Sequence, residues 1–316
     1  MQPPLQGALL LGPPQPQASY GGVPGQAKPP LKRRRRTNYL ALAFSLLLPW
    51  VVFTVTFGVM SFSVRYQHPQ LCGFVVALGA VFVVLCGGMA YKSLRRKTPG
   101  GEAGREPTWY AFIAATLLVG WTLALIFGNA NFSSNMHPYY DVTNLNTYPG
   151  VDPSRTHGQQ LLDAGRVVFT RSSALDLSKS FGFRNVDTYC VAPITASSER
   201  LASYDFWAVG VNCCSGNKPD FHCPGFDNPR IHAGLRLMDN SQREYFKLAV
   251  EQAEAAYRIR AASPIFFHWT EDPIGEMNRY QDSGFKYYLL GVMSFFALQL
   301  FLVVVFSSGL SQLGAR

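Results

Sequence analysis

YDFWAVGVNCCSG, Tyr204 to Gly216, is the stretch on which the reading of this chain turns. In an extended conformation Phe206 and Ala208 face one side, and Trp207, Val209 and Val211 the other. Apolar residues on both faces predict a central strand covered on both sides rather than one with a wet face. The strand runs into the adjacent pair Cys213-Cys214. If the pair continues the strand, its two side chains point to opposite faces and take different partners. Cys190 and Cys223 are the candidates, and which pairs with which stays open.

This stretch sits inside a long polar segment, residues 130–286, that contains four of the six cysteines. Further strands are expected at Arg166–Thr170, Val186–Ala192, Ile231–Met238 and Ile265–Trp269. In Ile231–Met238 apolar residues alternate with His232, Gly234 and Arg236, which predicts one wet face. Ser241-Gln242-Arg243-Glu244 reads as a capping box opening a helix that reaches about Arg260. Phe246, Val250, Ala253 and Tyr257 form its inward stripe. Strands first and one long helix late predict an α+β domain.

Four apolar runs surround the segment, at about 39–64, 72–91, 109–127 and 287–308. Each approaches the ~20 residues a helix needs to cross ~30 Å of hydrocarbon. The expected fold is a multi-pass α-helical membrane protein with four transmembrane helices. An α+β disulfide-stabilised extracytoplasmic domain, 130–286, lies between helices 3 and 4. Residues 1–38, with eight prolines, five glycines and five glutamines, read as a disordered cytoplasmic tail, and 309–316 as a short second one. Leu9 to Leu11 is too short for a signal-peptide core, so the first span is expected to act as the signal anchor.

The formal charge of +9 is unevenly placed: the first 38 residues carry +6, residues 92–107 carry +3, and the long segment −2. Basic flanks at the tail and the second loop put both on the cytoplasmic side, and the long segment outside or in a lumen. The membrane is therefore the plasma membrane or an endomembrane. Arg33, Arg34, Arg35 and Arg36 are placed to attract anionic lipid beside the bilayer. Nucleic acid is set aside, because the folded segment has no basic surplus.

In an oxidising compartment an even set of cysteines predicts two disulfides among Cys190, Cys213, Cys214 and Cys223. A metal site is disfavoured, since adjacent cysteines lack the spacing of zinc ligand pairs. Four spans, cytoplasmic ends and a large loop before the last span containing Cys213-Cys214-Ser215-Gly216 make a layout that resembles the tetraspanins, whose large loop carries Cys-Cys-Gly. Ser215 interrupts that motif, the first outer loop is short, and Cys223 lies far from the last span. The resemblance is one of layout, and membership is not assigned.

No hydrolase, metalloprotease, phosphate-binding or dinucleotide-binding motif is present. Asp220, His222, Asp227 and His232 form a weak polar cluster around the cystines that could supply acid–base groups. His268, Glu271 and Asp272 form another before the last span. Asn131-Phe132-Ser133 is a glycosylation sequon placed almost at the end of the third span. The spans hold no Asp, Glu, Lys, Arg or His, and Gln299 is expected to bond a neighbouring helix. The expectation is a non-enzymatic scaffold or receptor-like protein, without cofactor or metal, whose domain binds a protein partner; oligomerisation is compatible with this. The alternatives are a membrane enzyme using the His/Asp groups near the cystines, and a channel or transporter subunit.

Overall fold

The computed structural model describes residues 39–95, 107–196 and 200–313. The tail 1–38 with Arg33 to Arg36, most of the second basic loop, and residues after 313 lie outside the described residues.

Helix α1 spans Tyr39–Ser61, α2 Ser63–Gln67, α3 Pro69–Arg95 and α4 Pro107–Asn131. A π-helical turn, Phe132–Met136, follows α4 and leads directly into α5, His137–Thr143. Eight strands follow: β1 Asn146–Val151, β2 Ala164–Phe169, β3 Ala174–Leu175, β4 Phe181–Asn185, β5 Asp187–Thr195, β6 Phe206–Val211, β7 Ala233–Arg236 and β8 Ile265–Thr270. Helix α6, Asn240–Tyr257, lies between β7 and β8, and α7, Pro273–Leu313, closes the chain.

Four helical runs are long and apolar enough to cross a membrane: Tyr39–Ser61, Pro69–Arg95, Thr108–Thr143 and Pro273–Gly309. The last two overrun the boundaries expected at 130 and 286. Both helices continue past the apolar residues because the polar residues that follow still satisfy their backbone within the helix. Segment 130–286 is therefore flanked by helix at both ends, with its strands confined to Asn146–Thr270.

The sheet is mixed, in the order β1-β2-β7-β8-β6-β5-β3, with β4 also pairing β5. β6 runs parallel to β8 and antiparallel to β5. Its expected two-sided burial is present. Phe206 and Ala208 join one core with Phe169, Phe267 and Trp269; Trp207 and Val209 join the other with Tyr204, Phe246 and Phe266. Helix α6 covers the second face through Phe246, Ala249, Val250 and Ala253. The cystine loop covers the first through Cys213, Phe221, Cys223 and Ile231. The polar side of Ile231–Met238 is not wet throughout: Gly234 is buried against Phe267.

The start of α6 differs from the expected capping box. Asp239 is the N-cap, and its Oδ1 accepts from the backbone N–H of Ser241 at 2.8 Å. A carboxylate two residues upstream takes the donor and starts the helix earlier. Residues 146–151 and 181–185, outside the expected strands, are strands held by pairing with β2 and β5.

Among the helices, Phe53 and Phe57 of α1 pack with Ala124 of α4 and with Val292 and Phe295 of α7. Gln299 is buried and donates from Nε2 to the Ser45 carbonyl at 2.7 Å. Pro49 lies four residues after Ser45 and has no N–H, so that carbonyl lacks its usual helical donor.

Candidate functional site

The cysteines form two disulfides, Cys190–Cys214 and Cys213–Cys223. The adjacent pair does diverge to separate partners, but not by continuing the strand. β6 ends at Val211, and Asn212 turns the chain with φ +59°. Each bridge rests on a glycine. A Cβ at Gly210 would lie 2.5 Å from the Cys223 Sγ and 2.6 Å from the Cys213 Sγ; one at Gly182 would lie 2.7 Å from the Cys214 Sγ. The sulfurs of Cys190, Cys213 and Cys223 lie within 4.8 Å of one another. All are oxidised, so none offers the thiolate that a metal needs.

The polar cluster near the cystines does not assemble. Asp220 accepts from the Ser215 N–H at 2.9 Å and from the Ser215 hydroxyl. Those bonds hold its carboxyl below the usual carboxylate range. His222 donates from Nδ1 to the Asp220 carbonyl, and His232 bonds the Ser173 carbonyl. Asp227 is exposed. Asp220, His222 and His232 are engaged by backbone or a neighbouring loop, and none of the four is aligned by another for proton transfer. In the second cluster, Asp272 caps α7, accepting from Ile274 and Gly275.

Asn131 is buried, not displayed. Its amide donates to the Gly284 carbonyl at 3.0 Å, and its Oδ1 accepts from Asn135. In the folded chain this carboxamide is enclosed between α4 and α7.

The structure brings together a different set of residues. A cleft of about 610 Å³ opens where the π-helical turn, the sheet, the start of α6 and α7 meet. That volume lies in the range of small-molecule sites. The π-helical turn supplies Ser133 and Ser134, β8 supplies His268, and α7 supplies Tyr280. Apolar lining comes from Leu235, Leu237 and Met238; Val142, Leu235 and Met277 form a small core against which Met238 and Tyr280 pack. A π-helical turn inside a long helix is frequently a functional feature. Here it is closely packed, since a Cβ at Gly284 would lie 2.5 Å from the Met136 Sδ.

The charges at this cleft are already engaged. Arg236 directs Nη1 to the carbonyls of Leu161, Leu162 and Ala164. Burial and the nearby Arg243 pull its pKa down, and Asp163 pulls it back up. Asp239 is bound to the first turn of α6. Burial pushes the His268 imidazole below its ordinary value, with Glu276 opposing weakly. Its ring is therefore neutral near pH ~7, with one donor and one acceptor. Neither the His268 ring, the Tyr280 hydroxyl nor the Ser134 hydroxyl bonds another described residue.

His268 was legible as a polar residue before the last span. Ser134, Arg236 and Tyr280 carry no sequence signal, because only the fold brings their elements together. Comparison with protein-family models, with curated proteins and with solved structures found no match.

Proposed function

We propose that the chain is a four-pass integral membrane protein that holds a disulfide-stabilised α+β domain on the extracellular or lumenal side for binding a partner. In this reading both termini are cytoplasmic, and the domain is a scaffold or receptor-like module rather than a catalyst. The observation that carries it is the anchorage. The sheet hangs between two helices that emerge from candidate spans, and the Asn131 amide ties them at Gly284. The domain carried on this mount has its two sheet faces covered by α6 and by the cystine loop. The two disulfides support an oxidising side, and the basic flanks in the sequence support the orientation.

Crosslinking on intact cells with a membrane-impermeant reagent tests the reading. Full-length protein carrying a C-terminal tag is recovered and its crosslinks mapped. The expected result is a protein partner joined at Lys179, Lys218 or Lys247, which only an outward domain would expose to the reagent. Reaction after permeabilisation alone would overturn the orientation, and intact-cell labelling that joins no partner would overturn the binding role.

A further inference from the structure

We propose that the cleft between the π-helical turn, β8 and α7 binds a membrane lipid whose head is an uncharged alcohol, an acylglycerol or a sterol. The inference rests on the membrane reading above. Two features select the ligand class. Leu235, Leu237, Met238 and Tyr280 give the cleft an apolar wall suited to a hydrocarbon body. Its lining groups that bond no other described residue include three neutral ones, the His268 ring, the Tyr280 hydroxyl and the Ser134 hydroxyl, while His137 is paired with Asp141. The one guanidinium and the one carboxylate of the lining, Arg236 and Asp239, already hold backbone groups. A phosphate head would have to share Arg236 with the three carbonyls that its Nη1 holds. An alcohol needs only a donor and an acceptor, which a neutral imidazole and a phenol supply.

The position of the cleft selects the source. Its helical walls are the continuations of two candidate spans. Ser134 lies seven residues beyond Phe127, and Tyr280 seven before Tyr287, a rise of about 10 Å along each helix. A lipid can extend its head that far while its tail stays in the bilayer. A water-soluble metabolite would have no reason to meet a cleft mounted on the ends of two spans.

The test uses full-length protein in phosphatidylcholine nanodiscs with photoactivatable, alkyne-tagged lipids. One arm carries a diacylglycerol probe, one a sterol probe and one a phosphatidylcholine probe, with adducts mapped by mass spectrometry. The expected result is that one alcohol-headed probe labels peptides containing Ser134, His268 or Tyr280, and that its unlabelled counterpart competes. The arm that labels identifies the source. Ser134→Trp, at an exposed position, should block entry, and His268→Phe should lower labelling by about fivefold, as loss of one hydrogen bond does. Both variants are checked for native disulfide pairing, so that loss of fold is separated from loss of site. Equal labelling of the cleft by phosphatidylcholine, or cleft labelling unchanged by Ser134→Trp, overturns the proposal. So does labelling of α3 without labelling of the cleft. Absence of label on α3 as well would instead overturn the membrane reading on which the proposal stands.

Discussion

The Gln299 side chain of α7 donates to the Ser45 carbonyl of α1, the one that Pro49 deprives of its helical partner. A proline within a span is tolerated when another group meets the freed carbonyl. Gln299 is that group, and it is buried. Gln299→Leu should destabilise by about 1 kcal/mol, in the range of hydrogen bonds between membrane helices. In a Pro49→Ala background the helix regains its own donor, and Gln299→Leu should cost less. Unfolding in micelles of the four variants measures the coupling. An equal cost in both backgrounds would separate Gln299 from Pro49.

The two disulfides close loops of different length, with sequence separations of 24 for Cys190–Cys214 and 10 for Cys213–Cys223. On the chain-entropy account the longer loop should contribute more by about 0.8 kcal/mol. Paired serine substitutions, Cys190→Ser with Cys214→Ser against Cys213→Ser with Cys223→Ser, measure the difference by denaturant unfolding. Gly210→Ala should act on the shorter bridge, because the added methyl meets both of its sulfurs. Overpacking of this kind destabilises by about 1–3 kcal/mol. Non-reducing peptide mapping of Gly210→Ala should reveal unpaired Cys213 and Cys223; intact pairing at unchanged stability would contradict the packing.

The parts of the fold that were legible are those in which one residue pattern has one physical outcome. Four apolar runs have to be long helices, and a strand apolar on both faces has to be central, as Phe206 to Val211 is. Strand β1 was not legible. Its sequence, Asn146 to Val151, contains Pro149 and Gly150, and it is strand because β2 pairs with it. The cysteine pair was legible in outcome and not in cause: the split partners follow from the turn at Asn212 rather than from strand alternation. The cleft was not legible at all. Ser134 and His268 are separated by most of the sheet in sequence, and no periodicity in either stretch refers to the other.

His268 gives the domain a pH dependence whose sign follows from burial. Its folded pKa is depressed, so between that value and about 6.5 the unfolded chain binds a proton that the folded chain refuses. Stability is full above about 6.5 and falls as the pH drops, by no more than about 1.4 kcal/mol per unit. The depressed carboxyls of Asp220 and Asp239 act only at lower pH, below their ordinary value of 3.8. Thermal unfolding at about pH 7.5 and 5.5 should show a loss in the native protein and a smaller loss in His268→Gln. Identical losses would assign the acid sensitivity to another group.

Asn131 should carry no glycan in the folded protein. Expressed in glycosylating cells, the chain should not change mobility with endoglycosidase, and Ser133→Ala should leave it unchanged. Asn131→Ala, in contrast, removes the donor to Gly284 and the acceptor for Asn135. The expected destabilisation is about 1–3 kcal/mol, since the buried partners lose their bonds. A mobility shift abolished by Ser133→Ala would mean that the asparagine is reached by the transferase before α4 and α7 close over it.

Val186 sits between β4 and β5 with φ +61° and a relative exposure of 97%. A branched side chain in the left-handed region is strained, and an L-residue there gives up about 1–2 kcal/mol. At that exposure it has almost no packing to offset the strain. Val186→Asn keeps the turn and relieves the crowding, so stability should rise, by about 0.5–1 kcal/mol. Denaturant unfolding measures it, and a fall in stability would mean that the valine makes a contact in the folded chain. The same variant bears on the binding role. Strain retained at an exposed tip is a reason to look for function there, and a partner that packs on this valine should be lost from the intact-cell crosslinks while the domain becomes more stable.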